Sequence, residues 1–391
     1  MANRGHGEGT IYQRKDGRWV ASITLENRKR KTFYGKTRKE VQEKLRIALN
    51  EQKQGILATG PQQTVKQFLE QWLEEVHKPA IRIGTYKGYR MYLDNHIIPA
   101  LGHVQLQKLT PQRVQAFYSH MQQEGLSAKS VNNIHGMFHK ALDKAVQWGL
   151  VPRNVCDAVS LPKQARHEIQ PLNEEQARQL LVSARGNGLE GLITLAVTTG
   201  MRSGELLALK WRDINLDNRS LHIQRSMSYI PGKGYLEFEP KTSKSRRKIV
   251  LPPFVCEALK LHWARQLEVR LKAGERWQGR DLVFCNIYGG YLDPAHLRQR
   301  FDKLLKEAGL PDVRFHDLRH SAATILLSIG VPAKVVQEIL GHSQIGMTMD
   351  TYSHVLPDMQ QQAMDKMNDV FRLDILADSE DSGIGGYEPS T

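Results

Sequence analysis

The stretch from His316 to Tyr352, HDLRHSAATILLSIGVPAKVVQEILGHSQIGMTMDTY, constrains this chain more than any other. His316 and Arg319 are three residues apart, so a helix through them presents both side chains on one face. The run SAATILLSIG extends that helix, and Gly330 with Pro332 ends it. A second short helix, AKVVQEIL, stops at Gly341 and leaves His342 just beyond its C-terminus. Ten residues further on, Tyr352 stands among polar neighbours in a segment of weak apolar periodicity. Two imidazoles, a guanidinium and a phenol on one small helical unit suit chemistry on a phosphate.

The overall charge points the same way. The chain of 391 residues carries 55 Lys and Arg against 41 Asp and Glu, a net charge of +14, which favours a polyanionic partner. Apolar content of 40% and charged content of 25% are ordinary for a soluble globular protein, and the length predicts two or three domains. Cys156, Cys256 and Cys285 are scattered without metal-ligand spacing, which fits a reducing cytoplasm. No apolar run reaches the ~18 residues of a membrane span, and MANRGHGEGT lacks the apolar core of a secretory signal.

Residues 1–57 read as a basic unit; residues 1–54 hold fourteen Lys or Arg and six Asp or Glu. GTIYQ, WVASITL and KTFYG are short strand-like runs, the first two joined by the turn Lys15-Asp16-Gly17. Thr37-Arg-Lys-Glu40 has the capping-box pattern and opens a helix through about Asn50. Three strands with a helix on one face leave the other face free. Arg14, Lys15, Arg18, Arg28, Lys29, Arg30 and Lys31 cluster in and around those strands, where they can enter a DNA groove.

A Gly/Pro/Thr linker, GILATGPQQT, leads into an all-helical unit assigned to residues 58–163. VKQFLEQWLEEV places Val65, Phe68, Leu69, Trp72, Leu73 and Val76 on one stripe. TYKGYRMYLDNHIIPAL follows, then a helix from Pro111 capped by Thr110 and another from about Ala128 capped by Ser127. Thr85, Lys87, Arg90 and Lys129 are the candidate DNA contacts here. After the hinge LPKQARHEIQP, residues 164–372 form a mainly helical α+β unit. Asn173-Glu-Glu-Gln176 caps its first helix, GLITLAVTTG is buried, and SGELLALKW is a short helix. WRDINLDNRSLHIQ and LEFEPKTSKSRRKIVLP read as strands, followed by helices from about Pro253, Pro294 and His316. The tail 373–391 is acidic and expected to be disordered.

His-x-x-Arg, then Gly-His, then a Tyr ten residues on resembles the C-terminal half of the tyrosine recombinase (phage integrase) active site, and TTGMRSGELLALKW supplies the upstream Arg of that family as Arg202. The run PKTSKSRRKIVL resembles the family's Lys-Thr-x-x-Ser-x-Arg-x-Ile-x-Leu strand pair and places its catalytic lysine at Lys241, with Lys244 a competitor better suited to a phosphate contact. Residues 1–57 are similar to the arm-type DNA-binding domain of integrases from temperate phages and integrative conjugative elements, and 58–163 to the family's core-binding domain.

The resemblance implies a site-specific recombinase that cuts DNA through a 3′-phosphotyrosyl bond without metal, ATP or other cofactor. Arg202 and Arg319 clamp the phosphate, Tyr352 attacks, and Lys241 protonates the leaving 5′-oxygen. His316 bonds the phosphate or assists proton transfer from the tyrosine, His342 donates to a non-bridging oxygen, and Glu205, three after Arg202, orients the pocket. The implied partners are core and arm attachment sites in double-stranded DNA, three further copies of the chain in a tetramer, a small excisionase and a host DNA-bending protein. The implied location is the cytoplasm of a bacterial host, at the nucleoid. A zinc hydrolase reading of His316-Asp-Leu-Arg-His320 fails on chemistry: Asp stands where a zincin has Glu, and Arg319 between the ligands repels a divalent cation.

The charge makes a first prediction. If six to ten phosphates are contacted, raising salt from about 50 to about 200 mM should weaken DNA binding by roughly 10³-fold or more. Titrating a labelled duplex at several salt concentrations measures it, and a flat response would exclude a phosphate-dominated interface.

Overall fold

The structure, a computed structural model, describes residues 9–24, 30–53, 62–164, 170–239 and 246–342, together with Met364, Asp365 and Met367. The chain divides into two compact units, Met1–Arg166 and His167–Thr391. Within the first unit the apolar residues form two separate clusters, one under a small sheet and one inside a set of helices.

The sheet is an antiparallel meander of β1 (Thr10–Gln13), β2 (Trp19–Thr24) and β3 (Arg30–Gly35). Its period of two sends Ile11, Ala21, Ile23 and Phe33 to one face, where Val41 and Leu45 of α1 (Arg38–Lys53) cover them. The opposite face carries Thr10, Ser22 and Thr32 in one cross-strand row and Tyr12, Val20 and Tyr34 in the next, both tyrosines being exposed. The cap of α1 differs from the capping-box expectation in one bond. Thr37 Oγ1 accepts from Glu40 N at 3.2 Å, but the Glu40 carboxylate accepts from Lys36 N at 2.9 Å, one residue before the cap.

The helical cluster begins with α2 (Val65–Gln71), started by a complete Thr64–Gln67 capping box. The predicted stripe holds through Leu73 and then shifts by one residue. Trp72–His77 is a π-helical turn, whose wider i→i+5 step buries His77 and leaves Val76 only partly covered. His77 is stacked between Trp72 and Tyr89, at ring-centroid distances of 4.6 and 5.3 Å. Tyr89 belongs to α3 (Ile83–Tyr92), which passes through a second π turn, Leu93–Ile97, into α4 (Ile98–Leu101). α5 (Pro111–Gln123) and α6 (Ala128–Gln147) start at Thr110 and Ser127, whose hydroxyls accept from Arg113 N and Ser130 N.

The second unit opens with α7 (Glu174–Ala184), capped reciprocally by Asn173 and Gln176. α8 (Glu190–Thr199) is buried on nearly every side and packs against α7, α10 (Pro253–Ala273) and α12 (Asp317–Ser328). Between α8 and α10 come the short helix α9 (Ser203–Leu207) and the strands β4 (Ile214–Asn215), β5 (Ser220–Ile223), β6 (Ser226–Ile230), β7 (Gly234–Phe238) and β8 (Arg247–Val250). β8 returns to pair with β5 in the order β4-β5-β8, while β6 and β7 form a separate hairpin, whose first strand lies outside the two strand-like runs predicted from sequence. α11 (Pro294–Glu307) precedes α12, and α13 (Ala333–Leu340) follows it. Met364, Asp365 and Met367 are helical, with both methionines exposed. Among the described residues no helix is long and apolar enough to cross a membrane.

Phe138 is fully buried in the centre of the helical cluster. Phe138→Ala should cost about 3–5 kcal/mol through lost burial and the cavity left behind, as read by chemical denaturation with circular dichroism. A loss below about 1 kcal/mol would mean that this helix face is not core.

Candidate active site

The site begins with a close approach of two helix ends. α8 terminates at Gly200 with φ +60°, and a Cβ there would lie 2.4 Å from Leu340 Cδ2 at the end of α13. Only glycine tolerates both the left-handed backbone and that contact. The approach lets Arg319, in the first turn of α12, donate from Nη1 to Gly200 O and to Leu340 O, both at 2.8 Å. Two residues after Gly200, Arg202 is the N-cap of α9 and donates from Nη2 to Gly341 O at 3.1 Å. Both guanidinium groups are therefore seated on the C-terminal turn of α13, where helix carbonyls lack intrahelical partners and the dipole favours cations.

A buried carboxylate joins this turn to the sheet. Glu205 is 4% exposed and accepts from Arg202 Nη1 at 2.8 Å and from the Arg202 backbone N at 3.0 Å. From the other side Arg247 donates to it at 3.0 and 3.3 Å, and its Nε donates to Ile339 O at 2.6 Å. β8 pairs Arg247 with Ile223 and Ile249 with Leu221, so strand alternation puts Arg247 on the core face beside Ile249. Burial alone would raise the Glu205 pKa; the charge and hydrogen bonds of Arg247, then Arg202, overcome it and hold the carboxyl below its ordinary range. Burial pulls the Arg247 pKa down against the opposing pull of Glu205.

Three histidines complete the cluster. His316 is the N-cap of α12, one position before the helix, and stands edge-on to His320 with ring centroids 5.8 Å apart. Burial, followed by the Arg319 charge, lowers the His316 pKa, and burial with the neighbouring His316 lowers that of His320. His342 is pushed down to about 4 by burial and then by the charges of Arg319 and Arg202. Its backbone is fixed at both ends by buried Gln337: His342 N donates to Gln337 O, and Gln337 Nε2 donates to His342 O, each at 3.1 Å. Buried Asp317, gripped by the Arg314 fork at 2.9 and 3.0 Å, secures the start of α12. Neutral imidazoles beside two guanidinium groups make an anion site with hydrogen-bond donors of two kinds. Among the described residues no group of three or more His, Cys, Asp or Glu is placed to hold a metal ion.

Of the residues expected at this site, Arg202, Glu205, His316, Arg319 and His342 lie within one cluster, while Lys241, Lys244 and Tyr352 lie outside the described residues. Of the other expected contacts, Arg28 and Lys29 also lie outside them. Arg14 and Arg18 flank Asp16 at 3.9 and 3.4 Å, and Lys15 and Arg30 are exposed. Lys31 pairs with Ile23 on the α1 side of the sheet and sits 5.9 Å from the Phe33 ring, away from the free face. Thr85 and Lys129 are exposed, Lys87 is half-buried, and Arg90 is paired with Asp94 at 2.9 Å and Glu70 at 3.9 Å. Sequence reasoning included Arg247 only as the Arg of the strand-pair motif, with no role, and missed Gln337. The alternation in Arg247-Lys-Ile249-Val-Leu251 was a usable signal, since it gives the arginine the inward parity of Ile249 and Leu251.

The descriptions "Phage integrase family" and "Phage integrase, N-terminal SAM-like domain" match residues 170–359 and 64–122. A "Tyrosine recombinase XerC-like" protein of Caldanaerobacter subterraneus subsp. tengcongensis is 32% identical over 88% of this chain and 92% of its own length. The "ICEBs1 integrase" of Bacillus subtilis is 28% identical over 73% of this chain and 77% of its own. Among solved structures, the Tn1549 transposon integrase in complex with transposon right end DNA has a TM-score of 0.68 at 23% identity, covering 78% of this chain and 99% of that one. A lambda integrase dimer bound to a core site has a TM-score of 0.54 at 18% identity, covering 90% and 96%.

His342 gives a pH prediction. Between its ordinary value of 6.5 and about 4, the unfolded chain binds a proton at this position that the folded chain refuses. Stability should therefore fall as pH drops through that window and level off below it. His342→Gln should flatten the fall in Tm across the same window, leaving the parallel contributions of His316 and His320. An unchanged slope would show that His342 is not held neutral.

Proposed function

Because the chain belongs to the phage integrase (tyrosine recombinase) family of site-specific DNA recombinases, we propose that the cluster around the α13 turn is its cleavage site and that its substrate is attachment-site DNA of a mobile element. The observation that carries this is the seating of Arg202 and Arg319 on one helix end, with His342 immediately beyond it. Two guanidinium groups fixed before substrate arrives can stabilise charge on the non-bridging oxygens without reorganising during the reaction.

The Tyr352 phenol gives up its proton to neutral His316 as its oxygen attacks phosphorus, the bond from phosphorus to the 5′-oxygen breaks, and Lys241 delivers the proton that the leaving oxygen needs. The phosphotyrosyl bond retains the energy of the broken one for religation to a new 5′-hydroxyl. His342 donates to the phosphate, whose negative charge favours the protonated imidazole, so binding draws the pKa of His342 back up. Glu205 fixes Arg202. No metal, nucleotide or other cofactor enters these steps.

Residues 1–57 bind arm sites, 58–163 hold the core site, and 164–372 carry the chemistry, with 373–391 as an acidic tail. Arg14, Lys15, Arg18, Arg28, Lys29, Arg30, Lys31, Thr85, Lys87, Arg90, Lys129 and Lys244 are the proposed DNA contacts. Four copies act on two duplexes, in the bacterial cytoplasm at the nucleoid, with an excisionase and a DNA-bending protein setting direction. Relatives include the ICEBs1 integrase, a prophage phiRv2 integrase and the integrase of Staphylococcus phage L54a, and solved relatives are complexed with DNA, which supports this assignment of partner.

The test uses full-length protein and a randomised pool of nicked duplexes, from which SDS-resistant protein–DNA adducts are recovered and sequenced. Wild type should enrich one core sequence. On that duplex Tyr352→Phe should bind normally and form no adduct, and Arg319→Ala should slow adduct formation by roughly 100- to 1,000-fold. An adduct from Tyr352→Phe would move the nucleophile to another residue.

A further inference from the structure

Glu205 meets two arginines, and only one of them can reach a substrate. The Arg202 side chain is 36% exposed, while that of Arg247 is 6% exposed and points into the core from β8. Arg247 holds both oxygens of Glu205 in its fork and uses Nε on Ile339 O, the carbonyl just before the two that receive Arg319 and Arg202. The α13 turn is packed on the same guanidinium, since a Cβ at Gly341 would lie 2.7 Å from Arg247 Nη1.

We propose that Arg247 is a positioning residue for DNA cleavage, which neutralises Glu205 so that the charge of Arg202 remains available to the scissile phosphate, and which holds the α13 turn in place. This rests on the reading of Arg202 as a phosphate ligand. Two guanidinium groups and one carboxylate leave a net charge of +1 at the cluster. Without Arg247, the Glu205 carboxylate and Arg202 form a neutral pair, and the anion keeps the attraction of Arg319 but loses that of Arg202. A buried carboxylate stripped of one partner is also strongly destabilised, which pushes it to take up a proton. Glu205 is faced by Arg202 from the start of its own helix and by Arg247 from β8. Lysine would keep the charge but not the fork onto two oxygens and a carbonyl.

The experiment compares single-turnover adduct formation by full-length wild type, Arg247→Met, Arg247→Lys and Arg247→Met/Glu205→Gln on the nicked duplex selected by wild type. Rates are read from about pH 6 to about pH 9, with Tm measured for each variant. Arg247→Met should be slowed by roughly 100-fold at the alkaline end and recover towards acid pH, as the exposed-to-one-partner Glu205 becomes neutral. The double variant, which restores the net charge of +1 with no carboxylate, should exceed Arg247→Met by about 10-fold at alkaline pH and follow the wild-type pH profile. Arg247→Lys should lose less and keep the wild-type profile, which also covers the case in which Arg247→Met does not fold. A wild-type rate and profile for Arg247→Met would overturn the proposal, as would a double variant with recovered Tm and no gain in rate. Arg202→Ala separates the two readings. If it forms adduct at the wild-type rate, the assignment of the site fails with this inference; if it is inactive while Arg247→Met is normal, only this inference fails.

Discussion

A carboxylate with almost no access to water, held between two guanidinium groups, is the interaction on which the second unit's site depends. Glu205 could not be buried as an anion beside Arg202 alone without large cost, because one partner leaves lone pairs unsatisfied in a low-dielectric setting. Arg247 supplies the missing donors. The arrangement joins α9, β8 and the end of α13, three elements that share no backbone hydrogen bonds in a common sheet or helix.

The two arginines proposed to face the phosphate are held by different means. Arg202 leans on a carboxylate that is shared, whereas Arg319 is oriented by two main-chain carbonyls. A carbonyl fixes the direction of a guanidinium without cancelling its charge, so Arg319 can be 4% exposed overall and still remain a cation. The depressed pKa values of His316 and His342 follow from that uncancelled charge added to burial, and both rings are consequently neutral donors near pH 7.

Much of this was legible from local chemistry. Thr110, Ser127 and Asn173 mark helix starts because a side-chain oxygen serves a backbone N–H only two or three residues away. Gly200 and Gly341 mark helix ends because the left-handed cap excludes most other residues. The exchange of Val76 for His77 on the buried stripe was not legible, since a π turn alters which carbonyl an N–H reaches and leaves no mark on apolar spacing. The partnership of Arg247 with Glu205 was hidden for another reason: it depends on the register of β8 against β5 and on where α9 lies, neither of which is written near either residue. The strand-pair motif contains Arg247 as its Arg, but a motif carries no statement of which carboxylate that side chain meets.

The contacts that assemble this cluster also fix when it can exist. Gly200 and Arg319 are 119 residues apart, Arg202 and Gly341 are 139 apart, and the Leu172 N–H that donates to Ser321 Oγ spans 149. Such distant pairings form late, after most of the unit has collapsed, because closing long loops precedes any gain from the contacts. On the ribosome, a chain that has emerged only as far as α11 has Arg202, Glu205 and the Gly200 carbonyl but lacks Arg319 and the Leu340 and Gly341 carbonyls that complete the seating of the arginine pair. A site-specific DNA recombinase is thereby made unable to assemble its proposed phosphate clamp until synthesis has passed residue 341.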